Sequence, residues 1–349
     1  MILTGENIVH YLIDRNILSA ESVVDGDLIV MDMTRRNRNF KILRKGEAGY
    51  FVKQVKNYEP SALSSLTREA QSYWLAKYAA GFKGISSLMP RLIHYDTNGA
   101  ILITELFPGF ENLAEMYQRL GNFPLPIASS LGASLGAYHR EVDLAREDVD
   151  ARKVFPRGLP WILTITPQFI RQAKATDANH QQFFTILEQY PEFLGAIERL
   201  RAGWQVNSLI HGDMKWDNCI VYEDEVKIID WELADLGDYA WDAGSIFQNF
   251  LTLWAGYEAA ETGTGRMAAL QSAMAAFWKA YAEKMSLDKD ACAVLLEKCC
   301  QLAAIRMIQT GYEFMHFSKK LDRSGILLLQ LSLNILKNPR EATTVLLGL

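Results

Sequence analysis

The stretch His211-Gly212-Asp213-Met214-Lys215-Trp216-Asp217-Asn218 follows the apolar pair Leu209-Ile210, and twelve residues after Asn218 the run Val226 to Ile229 delivers Asp230-Trp231-Glu232. Short apolar, β-branched runs read as strands, so a hairpin places two loops with acidic tips side by side within a strand-like island from Ser208 to Ile229. The texture differs on either side of this island. Upstream, after a helix-like segment from Gly5 to Leu18, the stretches Asp27 to Met33, Phe40 to Leu43, Tyr50 to Val55 and Ile101 to Glu105 are short and rich in β-branched or aromatic residues. One helix, over Ala62 to Tyr78, interrupts them. Beyond Pro108 the pattern turns to long amphipathic helices such as Ile127 to Arg140, Met267 to Met285 and Ala291 to Phe317. The expected fold is α+β in two lobes: residues 1–104 form a small β-rich lobe with a short leading helix, 105–109 a hinge, and 110–349 a larger, mainly helical lobe.

Composition narrows the classes of function. With 349 residues, 49% of them hydrophobic and 22% charged, the chain has enough apolar sequence to bury a substantial core, which excludes disorder and a small disulfide-stapled scaffold. A net charge of −5 supplies no general attraction to nucleic acid or to an anionic membrane, and neither is expected as a partner. Cys219, Cys292, Cys299 and Cys300 lack CxxC spacing, so free thiols in a reducing compartment are expected rather than a metal site. The first residues carry Glu6 and Asp14, without a basic start or a small-residue cleavage site. The apolar stretch Ile326 to Leu336 is too short to span a bilayer and is broken by Gln330 and Asn334. A cytoplasmic protein is the expectation.

The two acidic loops suit phosphoryl transfer. Mg²⁺ takes hard oxygen ligands from one or two side chains and completes its shell with phosphates, while a separate carboxylate orients the attacking hydroxyl. Asn218 and Asp230 are then the metal ligands and Asp213 the base. The spacing Asp-x-x-x-x-Asn with a downstream strand ending in Asp is that of kinase catalytic loops. The competing reading is a turn whose Asp and Asn satisfy their own backbone.

Taken together, His211-Gly212-Asp213 with Asn218, then Ile229-Asp230-Trp231-Glu232, then Gly237-Asp238-Tyr239-Ala240-Trp241-Asp242 resemble three motifs, in order, of the aminoglycoside phosphotransferase family. That family has a protein-kinase-like fold and also includes choline and other small-molecule kinases. The resemblance runs from about Asp27 to Gln248. It implies that Asp213 is the catalytic base, that Asn218 and Asp230 bind Mg²⁺, and that Asp242 braces the catalytic loop from the following helix. Glu232 is a weaker candidate near the metal, with a surface carboxylate as the alternative.

The first lobe should supply the ATP site. Lys53 stands in a strand that otherwise reads as buried and needs a carboxylate partner, and Glu69 on the following helix resembles the glutamate that pairs with the kinase lysine on the phosphates. Thr104-Glu105-Leu106-Phe107 looks like the hinge, where the backbone of Glu105 and Phe107 would pair with adenine. Kinases often cover the phosphates with a glycine-rich loop, yet the turn here, Thr34 to Asn39, has no glycine. Asn37 before Phe40 matches the family's variable version of this loop, and Arg35, Arg36 and Arg38 offer planar donors to phosphate, unless the turn is simply a solvated basic tip.

Lys215, two residues after Asp213, resembles the catalytic loop of protein serine/threonine kinases, where a cation neutralises charge on the transferring group. His139 is expected to support the catalytic lobe, and His94 and His316 to be ordinary. Trp241, Phe247, Phe250, Trp254 and Tyr257 have the spacing of a packed helix face, with Glu258 and Glu261 beyond them as possible lining of an acceptor pocket. Arg306, Tyr312 and Glu313 lie on a C-terminal helix that borders the substrate site in related folds, and nothing in the sequence distinguishes them. Residues 1–104 hold 13 Lys/Arg and 10 Asp/Glu against 23 and 31 in the rest, a balance of +3 and −8. The acidic excess leans toward a cationic, amino-bearing small molecule as acceptor, with ATP and Mg²⁺ as co-substrate and cofactor. A peptide or protein hydroxyl is the alternative that Lys215 suggests, and a nucleotide-binding regulator the one that the glycine-free loop suggests.

Overall fold

Strand residues alternate in what they bury, and this alternation sets the faces of the first sheet. The structure is a computed structural model that describes residues 1–24, 26, 28–142, 144, 155–176, 180–259, 266–318 and 320–349, with the backbone alone at 257–259 and 316–318. It divides into two compact units. The first comprises Met1–Asn112, Glu141–Phe155 and Asn218–Ala234; the second comprises Leu113–Arg140, Pro156–Asp217 and Asp235–Leu349.

In the first unit, strands β1 (Leu28–Asp32), β2 (Arg38–Arg44), β3 (Glu47–Gln54), β4 (Leu92–Asp96) and β5 (Ile101–Leu106) form one antiparallel sheet in the order β1-β2-β3-β5-β4. Phe40, Ile42, Val52, Ile101 and Ile103 pack against Ile8, Tyr11 and Leu12 of helix α1 (Ile8–Asp14). Lys53, the residue after Val52, therefore faces the other side of the sheet, where it meets helix α2 (Pro60–Tyr78). The leading helix is shorter than its expected span of Gly5 to Leu18. Asn16 takes a left-handed conformation at φ 55°, and the amides of Ile17 and Leu18 donate back to the Leu12 carbonyl at 2.9 and 3.3 Å, which ends the helix as such a residue commonly does. Strand β4 is absent from the expected set, since Leu92-Ile93-His94-Tyr95-Asp96 is half-buried throughout and lacks a clear alternation. Asp27, expected to open the first strand, lies outside the described residues.

A second, three-stranded sheet in this unit joins β6 (Glu111–Asn112), β8 (Cys219–Tyr222) and β9 (Glu225–Ile228) in the order β6-β8-β9. Its β8–β9 pair is the expected hairpin, with Cys219 opposite Ile228.

The second unit pairs β7 (Ser208–Ile210) with β10 (Asp235–Gly237) and is otherwise helical. Its helices are α3 (Leu113–Leu120), α4 (Leu125–Glu141, whose last residue belongs to the first unit), α5 (Pro167–Thr176), α6 (Gln181–Gln189), α7 (Pro191–Ala202), α8 (Ala240–Ala259), α9 (Arg266–Met285), α10 (Lys289–Ser318), α11 (Arg323–Lys337) and α12 (Pro339–Val345). Trp241, Phe247, Phe250, Phe277 and Tyr281 are buried between them. Helices α8 and α10 approach closely at Gly244: a Cβ there would stand 2.7 Å from the carbonyl oxygen of Cys299, so only glycine allows this spacing. Among the described residues, no helix is long and apolar enough to cross a membrane, and all four cysteines are free thiols.

Candidate active site

The loop that follows β7 is held from beneath by helix α8. Gly212 sits at φ 81°, a conformation that glycine adopts without strain. On either side of this turn, the His211 amide donates to Asp242 Oδ2 at 2.7 Å and the Gly212 amide to Asp242 Oδ1 at 3.1 Å, while the indole of Trp241 donates to the Gly212 carbonyl at 3.0 Å. Two turns further along α8, Asn249 accepts from the Trp216 amide at 3.2 Å and donates to the Met214 carbonyl at 3.3 Å. Residues seven apart lie on one face of a helix, so α8 clamps both ends of the loop. The Asp213 amide donates to His211 Nδ1 at 3.2 Å. His139 lies beneath, buried, with Nδ1 2.9 Å from the Tyr281 hydroxyl and Nε2 3.6 Å from Asp242 Oδ2.

The Asp213 carboxylate rises from this braced loop between two cations. Lys215 Nζ donates to Oδ2 at 2.7 Å and Arg306 Nη2, from α10, to Oδ1 at 2.6 Å. The guanidinium of Arg306 also reaches Glu313 Oε1 at 3.2 Å, and Gln309 donates to the same oxygen at 2.8 Å.

In the first unit, Lys53 gathers three carboxylates. Its ammonium donates to Glu69 at 2.8 Å, to Asp230 at 2.7 Å and to Glu232 at 3.0 Å. Carboxylate oxygens of the three acids lie within 4.8 Å of one another. Burial pushes the Glu69 carboxyl up to about 7, with Lys53 opposing and Asp230 and Glu232 adding to the rise. Burial also acts against the charge on Lys53, yet Glu69, Asp230 and Glu232 together hold its ammonium well above the usual lysine value. One cation among three acids leaves negative charge uncompensated, and hard oxygen donors at this spacing fit a divalent ion such as Mg²⁺. Asn218 is buried at the start of the hairpin, where its carbonyl accepts from the Ile229 amide at 2.9 Å, one residue before Asp230. Asp230 itself takes a left-handed conformation at φ 65°. Non-glycine residues rarely adopt it, and Asp is among the few that do so readily.

Should Mg·ATP bind at this cluster, it would draw Asp230 and Glu232 from Lys53 and leave that ammonium to Glu69, whose carboxyl would then return toward its ordinary range and lose its proton. Binding enthalpy measured by calorimetry at pH 7 in two buffers of different ionisation enthalpy should therefore report proton release, and Glu69→Gln should abolish it. A buffer-independent enthalpy in the wild type would contradict this account of the cluster. In the ligand-free chain the same group makes stability decline as pH rises from the ordinary glutamate value of 4.5 to about 7, because the folded state holds a proton that the unfolded chain has released.

The glycine-free turn places Arg36 on this cluster, with Nη1 3.4 Å from Glu232 Oε1. Its two neighbours are engaged elsewhere: Arg38 donates to the Lys56 carbonyl at 3.2 Å, and the Arg35 carbonyl accepts from the Lys56 ammonium. Asn37 bridges the turn through its backbone, accepting from the Arg35 amide at 3.0 Å. Should ATP bind at this cluster, Arg36→Gln is expected to weaken it about 2- to 5-fold at low salt and less at high salt, as loss of an exposed ion contact does. Arg38→Gln should leave it unchanged. Equal losses for the two variants in a nucleotide titration would refute this division of roles.

At the expected hinge, the Glu105 amide donates to the Arg91 carbonyl at 2.9 Å and its side chain is paired with the Arg91 guanidinium at 3.0 Å. The amide is thus committed to the Arg91 carbonyl. The Phe107 ring stacks on Tyr222 at 4.9 Å.

The structure therefore gathers Lys53, Glu69, Asp230, Glu232 and Arg36 in one unit and Asp213 and Lys215 in the other, with Asp242 beneath Asp213. Asn249 and the contact of Arg306 with Asp213 were not found from sequence. The signal for Asn249 was slight, one of two adjacent amides, Gln248 and Asn249, in the mostly apolar run Ile246 to Leu253. His94 lies on β4, and the side chains of Tyr257, Glu258, Glu261 and His316 lie outside the described residues.

The profile of a family described as the phosphotransferase enzyme family matches residues 32–279. No curated protein matches the sequence. Among solved structures the chain is similar to an ethanolamine kinase of Plasmodium vivax, with 14% identity, a TM-score of 0.63, and coverage of 97% of this chain and 92% of that one. It is also similar to a choline kinase of Cryptosporidium parvum, with 13% identity, a TM-score of 0.60, and coverage of 97% and 96%. A third similar structure is APH(2'')-IIa in its ternary complex with streptomycin and ATP, with 15% identity, a TM-score of 0.53, and coverage of 94% and 99%. At these identities the likeness is one of fold, and it bears out the α+β, kinase-like architecture. Since the matched profile spans well over half of its length, the chain belongs to the phosphotransferase enzyme family.

Proposed function

We propose that this enzyme transfers the γ-phosphoryl group of ATP, bound with Mg²⁺, to a hydroxyl of a small amino-bearing molecule. The observation that carries the reading is the Lys53 cluster, in which one buried ammonium is shared by Glu69, Asp230 and Glu232. That arrangement is charged for a divalent ion and phosphates, and a merely structural ion pair has no use for the two extra acids. Lys53, oriented by Glu69, binds phosphate oxygens, and Asn218 and Asp230 hold the metal, with Glu232 beside them. Bound Mg²⁺ would neutralise the negative charge that develops on the phosphates. The backbone at Glu105 and Phe107 receives the adenine. Asp213, fixed by Asp242 and Trp241 through its loop, accepts the hydrogen bond of the acceptor hydroxyl and aims it at the phosphorus. Lys215 stabilises charge on the transferring group. Similar structures include proteins named as choline and ethanolamine kinases, which supports an amino-bearing acceptor.

The position of Lys215 on Asp213 also fits a peptide hydroxyl as acceptor. The test is ADP formation from Mg·ATP in the presence of amino-alcohols, amino-sugars and Ser/Thr peptides, alongside the melting temperature with and without Mg·ATP. Stimulation by an amino-bearing small molecule supports the proposal, and stimulation by peptides alone replaces it with the second reading. Nucleotide binding that raises the melting temperature without any turnover would mark a regulator.

A further inference from the structure

The contact between α10 and the catalytic loop joins two residues 93 positions apart in the chain. The cations on the two oxygens of Asp213 differ in kind. Arg306 is 5% exposed and has two of its nitrogens committed, Nη2 to Asp213 Oδ1 and Nη1 to Glu313 Oε1. Lys215 is a flexible side chain, 40% exposed, on Oδ2. A buried planar fork with two acid partners has one orientation, whereas a half-exposed ammonium has many. Arg306 and Glu313 are seven residues apart, and Gln309 is three from one and four from the other, so all three lie on one face of α10 and the guanidinium plane is set by the helix. The close approach of α10 to α8 at Gly244 makes that setting rigid, because α8 is also the helix that clamps the loop through Asp242 and Asn249. The Nε of Arg306 is buried with no hydrogen-bond partner. Burying a guanidinium with an unsatisfied nitrogen is unfavourable, which argues that the side chain is kept for its contact with Asp213 rather than for packing.

We propose that Arg306 is the positioning residue of the catalytic base: it locks Oδ1 of Asp213 and so turns Oδ2 to the acceptor. This assignment rests on the phosphotransfer reading above. In the reaction the acceptor oxygen forms a bond to the γ-phosphorus as the bond to the β-phosphate oxygen breaks. The electron pair of that bond leaves with ADP, and the acceptor's proton passes to Asp213 Oδ2. Lys215 moves from Oδ2 toward the transferring group as its charge develops, while Arg306 stays on Oδ1. A carboxylate free to rotate would lose the hydroxyl alignment on which transfer depends.

The experiment compares wild type, Arg306→Ala, Arg306→Lys, Asp213→Asn and the Arg306→Ala/Asp213→Asn double variant by steady-state hydrolysis of Mg·ATP, with water as acceptor, and by the Mg·ATP-induced rise in melting temperature. For Arg306→Ala, kcat is expected to fall about 100-fold, the loss associated with a misplaced reacting group, with KM for ATP little changed. Guanidinium ion added to Arg306→Ala should restore part of the rate and should not stimulate wild type. Arg306→Lys keeps a cation without the fork and should fall between the two. The double variant should be no slower than Asp213→Asn, since a positioning residue has nothing left to position. Wild-type rate in Arg306→Ala, or a loss that adds in full to that of Asp213→Asn, overturns the assignment while wild-type turnover leaves the phosphotransfer reading standing. Absence of turnover in wild type both with water and with the amino-alcohol, amino-sugar and peptide panel overturns both. Should Arg306→Ala fail to fold, Arg306→Lys decides: a rate equal to wild type refutes the requirement for the fork.

Discussion

Asp213→Asn should leave Mg·ATP affinity close to that of wild type while phosphoryl transfer falls by about 100- to 10,000-fold, the range that a general base contributes. The residue holds neither metal nor phosphate in this account. Its amide backbone, and the amides of His211 and Gly212, are kept in place by groups that the substitution leaves untouched. What is lost is the carboxylate charge that the acceptor hydroxyl meets at the transition state, so the effect belongs in kcat. The check is a nucleotide titration run beside single-turnover transfer. A variant that loses ATP affinity in proportion to its rate would place Asp213 in nucleotide binding instead.

Asp230→Asn should damage both. Its carboxylate is one of three around Lys53 and the one closest to the ammonium, at 2.7 Å. Replacing it removes the charge of the proposed metal ligand and leaves the backbone alone, because Asn tolerates the left-handed conformation at this position as well as Asp does. The expected loss of transfer is on the order of 1000-fold, since a bound metal supplies several kcal/mol of transition-state stabilisation and each ~1.4 kcal/mol is tenfold in rate. The Mg²⁺ concentration for half-maximal activity should rise along with it. Unchanged Mg²⁺ dependence would remove Asp230 from the metal site and leave Asn218 and Glu232 as its ligands.

The parts of the site visible in the sequence are those whose meaning is local. Asn218 and Asp230 stand at the two ends of one hairpin, where the Ile229 amide donates to the Asn218 carbonyl, and Asp213 stands five residues before Asn218, so their order along the chain carried the reading. Lys53 was visible because an ammonium in an apolar strand demands a partner, and Glu69 on the next helix supplied one. Arg306 was on a thirty-residue helix in which one more polar residue carries no signal. Its role arises from the packing of α10 on α8, and nothing short of that packing distinguishes it from its neighbours. Glu232 could be read either as a metal-site acid or as a surface carboxylate. The structure puts it within 3.0 Å of Lys53, and Arg36 reaches its other oxygen. The leading helix ends before its apolar pattern does: Ile17 and Leu18 continue the pattern, but they enter the core after a left-handed turn at Asn16 rather than on the helix face.

Phosphorus NMR of a reaction containing the enzyme, Mg·ATP and an amino-alcohol or amino-sugar panel tests the central claim most directly. The account predicts that the γ-phosphate resonance of ATP is replaced by that of a phosphomonoester on a carbon-bound hydroxyl, with ADP as the other product, and that Asp213→Asn yields neither at a comparable rate. Release of pyrophosphate with transfer of AMP, or a spectrum in which ATP is bound and unchanged with every acceptor, would contradict it.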